Sequence, residues 1–299
     1  MASRIHVGTS GYRFEDWIGT VYPAGIQSRD LLSYYACLFD SVEINSTYYQ
    51  VPSARMFEGM LKKVPKGFTF VVKLPKEVTH ERTKLESVVA PFLDGIAPLE
   101  EAAQLGGLLA QFPYSFRAEQ PSLDHLERVA EAFLTVDRPV SVEFRHAGWC
   151  EERTYKLLAD LNLGFVNVDL PCLENLPGPT NVRTTPVAYY RLHGRNRENW
   201  WERTAGGDRY DYLYSELELE DWALRVEEAS RTAITCYVFA NNCHLGQSVV
   251  NALQLRRRLR LSSPSAPPGR TETLFEPSVD ELIASMGSRV KNSRRAQAA

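Results

Sequence analysis

The sequence predicts an α/β fold of the (β/α)8 TIM-barrel-like class, with an irregular sixth crossover and a C-terminal tail. Three observations carry that prediction. Eight short β-rich runs recur at intervals of roughly 25–45 residues. Amphipathic helical patterns lie between most of them. Nearly every run ends in a polar or charged residue: Ser10, Asn45, Lys73, Gln111, Arg145, Asp169, His193 and Asn241. In a closed barrel of parallel strands the C-terminal strand ends meet on one rim, and reactive groups collect there.

The first strand is expected over Ile5–Thr9, and the second over Ser41–Asn45. Between them Leu31, Tyr34, Tyr35 and Leu38 repeat at i, i+3, i+4 and i+7, with Ser28 as the expected N-cap. Phe57, Met60, Leu61 and Val64 repeat that template behind Ser53 and lead to a strand over Phe68–Leu74. Gly107–Phe112 is the fourth strand, and a helix with Leu126, Val129, Ala130 and Phe133 behind Ser122 links it to Val140–Arg145. Gly164–Asp169 follows. The next connection holds Pro171, Pro177, Pro179 and Pro186, which rules against a full helix there. Val187–His193 and Ile234–Asn241 complete the set. The helix between them carries Leu219, Trp222, Ala223 and Val226, with Ser215 and Glu218 spaced as a capping box. Strand-then-helix repetition means right-handed βαβ units in a parallel sheet. An open dinucleotide-binding sheet is disfavoured because Gly8-Thr-Ser-Gly11 is too short and wrongly spaced for a phosphate-cradling loop. The barrel domain is expected over 1–261. Residues 262–299 read as a Ser/Pro-rich linker, a short helix within Leu274–Met286 and a flexible basic tip with Arg289, Lys291, Arg294 and Arg295.

The 299 residues are 44% hydrophobic and 24% charged, the balance of a soluble globular protein. A formal net charge of −3 gives no global pull towards nucleic acid or anionic membrane. No apolar run approaches the ~18 residues of a membrane span, and no secretory leader precedes the first strand. The five cysteines form no C-x-x-C pair and read as reduced thiols. The expected location is cytoplasmic.

Side-chain alternation sorts the strand residues by face. In the fifth strand Val140, Val142 and Phe144 belong against the helices, which leaves Ser141, Glu143 and Arg145 inside. The same parity sends Val42 and Ile44 outward and Glu43 and Asn45 inward. On the seventh strand it leaves Tyr189, Arg191 and His193 inside. On the eighth, Asn241 or its neighbour Asn242 is expected at the rim. Lys73 and Gln111 share parity with Val71 and Leu109, so parity leaves their direction open. Charges on several neighbouring strands cost several kcal/mol each unless paired, which points to a polar ligand site.

At these residues the chain resembles the domain of unknown function 72 family, also called YecE-like proteins. The resemblance rests on Val7-Gly-Thr-Ser-Gly-Tyr12, Val42-Glu-Ile-Asn-Ser-Thr-Tyr-Tyr49, and Phe68-Thr-Phe-Val-Val-Lys73 with Thr79-His80. It continues through Leu109-Ala-Gln-Phe-Pro113, Val142-Glu-Phe-Arg-His146, Tyr190-Arg-Leu-His-Gly194, Tyr210-Asp-Tyr212 and Val238-Phe-Ala-Asn-Asn242. These pieces span about 5–255 in order. The resemblance implies a TIM-barrel-like fold and carries no activity with it. The family commonly has tryptophan where this chain has Tyr12, and the tail after Leu261 falls outside the resemblance.

The chemistry expected of the rim follows from its residue types. Glu143 and Glu43 are the acid–base candidates, with His193 and Asp169 orienting groups or moving protons. Glu143, Asp169 and His193 on successive strands also suit a divalent metal, but Arg145 and Arg191 beside them would repel it. The cofactor is therefore left unknown, with a divalent metal as the open alternative. Arg145, Arg191 and Lys73 point to an anion on the ligand. Asn45, Gln111, Asn241 and Asn242 suit hydroxyls or a nucleobase edge. His80, Tyr48 and Tyr210 are further binding candidates. The loop from Gly194 to Tyr214 interleaves Trp200, Trp201 and Tyr210 with Arg195, Arg197, Arg203 and Arg209, as a cover for sugar or base rings would. The expected function is a hydrolase-like enzyme acting on a polar, anionic sugar- or nucleotide-containing substrate. The alternative is a non-catalytic protein binding a metabolite or nucleic acid through the same rim.

Overall fold

Each predicted run becomes a strand, and the eight strands wrap into a nearly closed parallel barrel. In this computed structural model, which describes residues 3–83, 85–202, 208–265, 267–268, 280–282 and 284, they are β1 (Arg4–Thr9), β2 (Ser41–Ile44), β3 (Thr69–Lys73) and β4 (Leu105–Gln111). The second half supplies β5 (Val140–Glu143), β6 (Leu163–Asp169), β7 (Val187–Leu192) and β8 (Thr235–Ala240). Their order, β1-β8-β7-β6-β5-β4-β3-β2, is sequential around the barrel.

The remaining seam, between β1 and β2, has one bridge, Ser10 with Glu43. A tyrosine hydroxyl completes it. Tyr35, from α1 (Leu31–Leu38), accepts the Thr9 N–H at 2.9 Å and donates to the Ser41 carbonyl at 3.1 Å, so backbone groups that would otherwise be orphaned are satisfied. The approach is close enough to demand glycine at position 8. A Cβ there would lie 2.3 Å from the Ser41 carbonyl oxygen.

Helices α2 (Ala54–Leu61), α3 (Leu85–Glu101), α4 (Gln120–Ala132), α5 (Glu152–Asp160), α6 (Glu216–Ser230) and α7 (Gln247–Arg258) form the outer shell. No helix separates β6 from β7, as the prolines required. The Ser215–Glu218 capping box of α6 forms as expected. Other caps differ. Asp30, not Ser28, precedes α1, because Ser28 opens a separate helical turn. Ser53 precedes α2 but makes no capping bond. Ser122 lies inside α4, which begins two residues earlier, with a proline in its first turn.

Two apolar layers result. The outer one packs Val42, Ile44, Val142, Phe144, Tyr190 and Leu192 against the helices. The inner one, Val71, Leu109, Val166, Val168, Tyr189, Tyr237 and Phe239, fills the barrel itself. Of the helix expected within Leu274–Met286, Asp280–Leu282 and Ala284 are helical. Leu282 is buried on the outer layer and Asp280 pairs with Arg257 at 2.7 Å. The rest of that helix, the basic tip and Arg203 lie outside the described residues. Among the described residues, no helix is long and apolar enough to cross a membrane.

The seam is open to direct test. Gly8→Ala is expected to lower unfolding free energy by about 1–3 kcal/mol through forced overpacking. Tyr35→Phe is expected to cost about 1–3 kcal/mol by stranding Thr9 N–H and Ser41 C=O. Urea denaturation monitored by circular dichroism measures both.

Candidate functional site

Above the inner apolar layer the barrel is plugged by charge. Arg191, on β7, reaches across the axis and grips Glu43 of β2 bidentately, with Nε donating to Oε2 at 2.9 Å and Nη2 to Oε1 at 2.7 Å. Its Nη1 donates to Glu143 Oε2 on β5. Tyr189 adds a hydroxyl donated to Glu43 Oε2 at 2.5 Å. The other Glu143 oxygen meets Arg145 Nε at 2.5 Å and His193 Nε2 at 3.3 Å, both as polar contacts without hydrogen-bond alignment. Asn241 Nδ2 donates to His193 Nδ1 at 2.8 Å, which leaves the ring proton on Nε2, facing Glu143. Glu43, Glu143 and His193 have no solvent-exposed surface.

The electrostatics follow from this arrangement. Burial opposes ionisation of Glu143, but Arg145, Arg191 and His193 outweigh it and hold the carboxyl well below its usual 4.5. Burial, reinforced by Arg145, pushes His193 down to about 3, so its imidazole is neutral at physiological pH. Two arginines balance two carboxylates, the condition under which a buried ionic cluster is tolerated.

Over this plug lies a cavity of about 470 Å³, within the range of small-molecule sites. Asn45, Tyr48, Lys73, His80, Gln111, Arg145, Arg191, Tyr210 and Asn241, all expected at the site, line it. Structure also resolves what parity left open for β3 and β4. Val71 and Leu109 belong to the inner layer, and Lys73 and Gln111 follow them inward. Lys73 Nζ donates to Gln111 Oε1 at 2.8 Å and lies 4.5 Å above the Tyr48 ring. Burial and the Arg191 charge lower its amine to about 7. His80 packs edge-on against Tyr48, and burial together with Lys73 lowers its imidazole to about 4. Trp200, Trp201 and Arg209 from the loop after β7 form one wall, with Arg209 stacked on Trp200 at 5.2 Å.

Several expected residues stand elsewhere. Glu43, Glu143 and His193 belong to the plug and do not line the cavity. Asp169 is turned away from the barrel interior. Val166 and Val168 take the inward positions of β6, so Asp169 faces outward and receives Arg195 Nε at 2.9 Å. Arg195 also binds Glu218 of the α6 capping box, which makes Asp169 part of a loop anchor. Asn242 is likewise turned aside, donating to Tyr212 O at 2.7 Å and Asn251 Oδ1 at 2.8 Å; its neighbour Asn241 takes the rim. Glu143 and His193 meet but Asp169 does not join them, and among the described residues no three His, Cys, Asp or Glu side chains gather as metal ligands. Sequence reasoning did not find Tyr114 or Leu176 in the cavity wall. Tyr114 was accessible from its place three residues after Gln111. Leu176 was not, because it comes from the helix-free crossover, where periodicity is silent.

The family model described as "Protein of unknown function DUF72" matches residues 6–273. The chain belongs to the DUF72 family. The match runs past Leu261, so the family core extends beyond the bound expected from the resemblance. A DUF72 protein of known structure from Thermotoga maritima is 42% identical, with a TM-score of 0.79 over 86% of this chain and 99% of its own. A DUF72 structure from Enterococcus faecalis is 26% identical, also with a TM-score of 0.79, over 90% of this chain and 100% of its own. Among curated proteins, the UPF0759 protein YunF of Bacillus subtilis is 26% identical over 284 residues, 88% of this chain and 98% of its own length. These likenesses agree with the barrel described above.

Two measurements probe the plug of this DUF72 barrel. Arg191→Met removes the shared partner of two buried carboxylates, and is expected to cost about 3–5 kcal/mol in chemical denaturation. Stability is also expected to fall with acid. His193 is lowered from 6.5 to about 3, so its contribution is complete above pH 6.5 and declines as the unfolded chain takes up the proton below that. The depressed Glu143 carboxyl adds a second loss below about pH 4.5, complete only once pH has passed its folded value. Denaturation curves between pH 8 and 2.5 should show both limbs, and His193→Gln should make the first shallower, His80 supplying part of what remains.

Proposed function

We propose that this DUF72 protein binds a small polar ligand of sugar or nucleotide type through its phosphate or carboxylate, and acts on it as a hydrolase-like enzyme. One observation carries the reading. The cavity presents Lys73, Arg145, Arg191 and Arg209 and, among the described residues, no carboxylate. Arg145 and Arg191 are aimed by Glu143 and Glu43, so their orientation is set before a ligand arrives. Such an arrangement favours an anion held by charge-assisted hydrogen bonds. Asn45, Gln111 and Asn241 are placed to meet hydroxyls around it.

In this reading Glu43 and Glu143 hold the arginines, and proton transfer falls to His80. Its imidazole lines the cavity and is neutral, because burial and the Lys73 charge hold it at about 4. An anion that offsets Lys73 would raise the basicity of His80 as the ligand binds, which favours proton acceptance in the complex over the free protein. Hydrolysis of an ester next to the anion needs no more than water, this base and the clamp.

A non-catalytic binding protein is the second reading. It is favoured by the fact that both barrel carboxylates are committed to ion pairs, leaving no opposed carboxylate pair for glycoside chemistry.

Crystals soaked in phosphate are expected to show the anion among Lys73, Arg145, Arg191 and Arg209, and density only elsewhere would sink the clamp. In calorimetry, Arg209→Gln is expected to weaken phosphate binding about 10- to 100-fold. A screen of phosphoesters is expected to give turnover that drops about 10²- to 10⁴-fold in His80→Gln. Tight binding with no turnover across the screen would leave the binding-protein reading. Oligonucleotide binding with a steep salt dependence would instead favour a nucleic-acid partner.

A further inference from the structure

Lys73 is placed where the reading above asks only for positive charge, yet its surroundings suit a neutral amine. Among the described residues no carboxylate pairs with it. Glu43 and Glu143 are taken by Arg191 and Arg145. Its hydrogen-bond acceptor is the uncharged Gln111 carboxamide, and the Tyr48 ring covers one side. Burial is the main force against an ammonium there, and Arg145 and Arg191, which line the same cavity, oppose the attraction of Glu43 and Glu143 for it. A lysine activated as a nucleophile is made in this way, by burial and neighbouring cations. With its amine lowered to about 7, roughly half the population is unprotonated at neutral pH, against roughly 1 in 3,000 for an ordinary lysine.

We propose that Lys73 is a covalent nucleophile whose amine forms an imine with the aldehyde or ketone carbon of an anionic ligand held by the arginines. The inference rests on the anionic reading of the cavity and narrows its ligand to open-chain sugar phosphates or oxo acids. The nitrogen lone pair of Lys73 bonds to the carbonyl carbon as the C=O π pair moves to oxygen. A proton passes from nitrogen to that oxygen, giving a carbinolamine. The second nitrogen proton leaves as the C=N bond forms, the hydroxyl takes up a proton, and one water departs. Amine and carbonyl thus become imine and water, with no oxidant or reductant. His80, which lines the same cavity and packs on the same Tyr48 ring as Lys73, carries the protons in this scheme.

The test uses the intact chain and pyridoxal 5′-phosphate, an aldehyde carrying a phosphate, followed by borohydride reduction and peptide mass mapping. The expected result is a reduced adduct on Lys73 that forms at least about tenfold faster than on the exposed Lys62 and Lys66. Inorganic phosphate should slow it, and Lys73→Arg should abolish it. Label confined to exposed lysines, or reaching Lys73 no faster than Lys62, would overturn the proposal. Calorimetry with inorganic phosphate, run alongside, separates the two readings. Phosphate binding without label on Lys73 overturns the imine alone, and absence of both overturns the anionic cavity as well.

Discussion

The shared grip of one guanidinium on two carboxylates organises this molecule. Arg191 comes from β7, Glu43 from β2 and Glu143 from β5, so a single side chain ties together three points spaced around the barrel. Without the carboxylates the arginine would be a buried cation above an apolar layer. Without the arginine, two carboxylates would be stranded in the same place. Their balance lets the upper barrel be charged without swelling or taking in water. It also turns Arg191 and Arg145 towards the cavity, Arg191 already hydrogen-bonded on its inner edge and Arg145 held there by the Glu143 charge. The cavity therefore inherits positive potential from a cluster that is itself neutral.

This division of labour separates support from contact. Glu143 and His193 bear on the cavity through Arg145 and through Asn241, both of which reach its wall. Asp169, with Arg195 and Glu218, performs a comparable task one layer out, fastening the long loop after β7 to the start of α6. Trp200 and Arg209 on that loop then face the cavity from a fixed base.

Much of this was legible in the sequence because strands alternate. Where a strand carried an apolar outer face, as in Val140-Ser-Val-Glu and Val187-Ala-Tyr-Tyr-Arg-Leu, parity placed Glu143, Arg191 and His193 correctly inside. The rule misleads on β6. In Phe165-Val-Asn-Val-Asp169 the polar residues again alternate with apolar ones, yet here they face outward. The reason is the missing helix. An irregular crossover offers polar backbone in place of an apolar face, and Asn167 donates to Val182 O at 2.8 Å to satisfy it. The prolines announced the missing helix, but a consequence for side-chain direction one strand earlier has no local signature. Committed and uncommitted charges were equally indistinguishable. Glu43 and Lys73 read alike on paper, and only their partners show that one is ion-paired and the other hydrogen-bonded to an uncharged carboxamide.

The seam between β1 and β2 bears on how the chain reaches this state. Apart from one bridge to β2, β1 takes its ladder hydrogen bonds from β8, so that Arg4 is matched with Thr235 and Thr9 with Ala240. The first strand of the barrel must therefore wait for the last before its edge is covered. Such distant pairing slows barrel closure and prolongs exposure of a sticky edge during synthesis. The other partner of that strand's end, the Tyr35 hydroxyl, lies only 26 residues from Thr9 and so closes a far shorter loop.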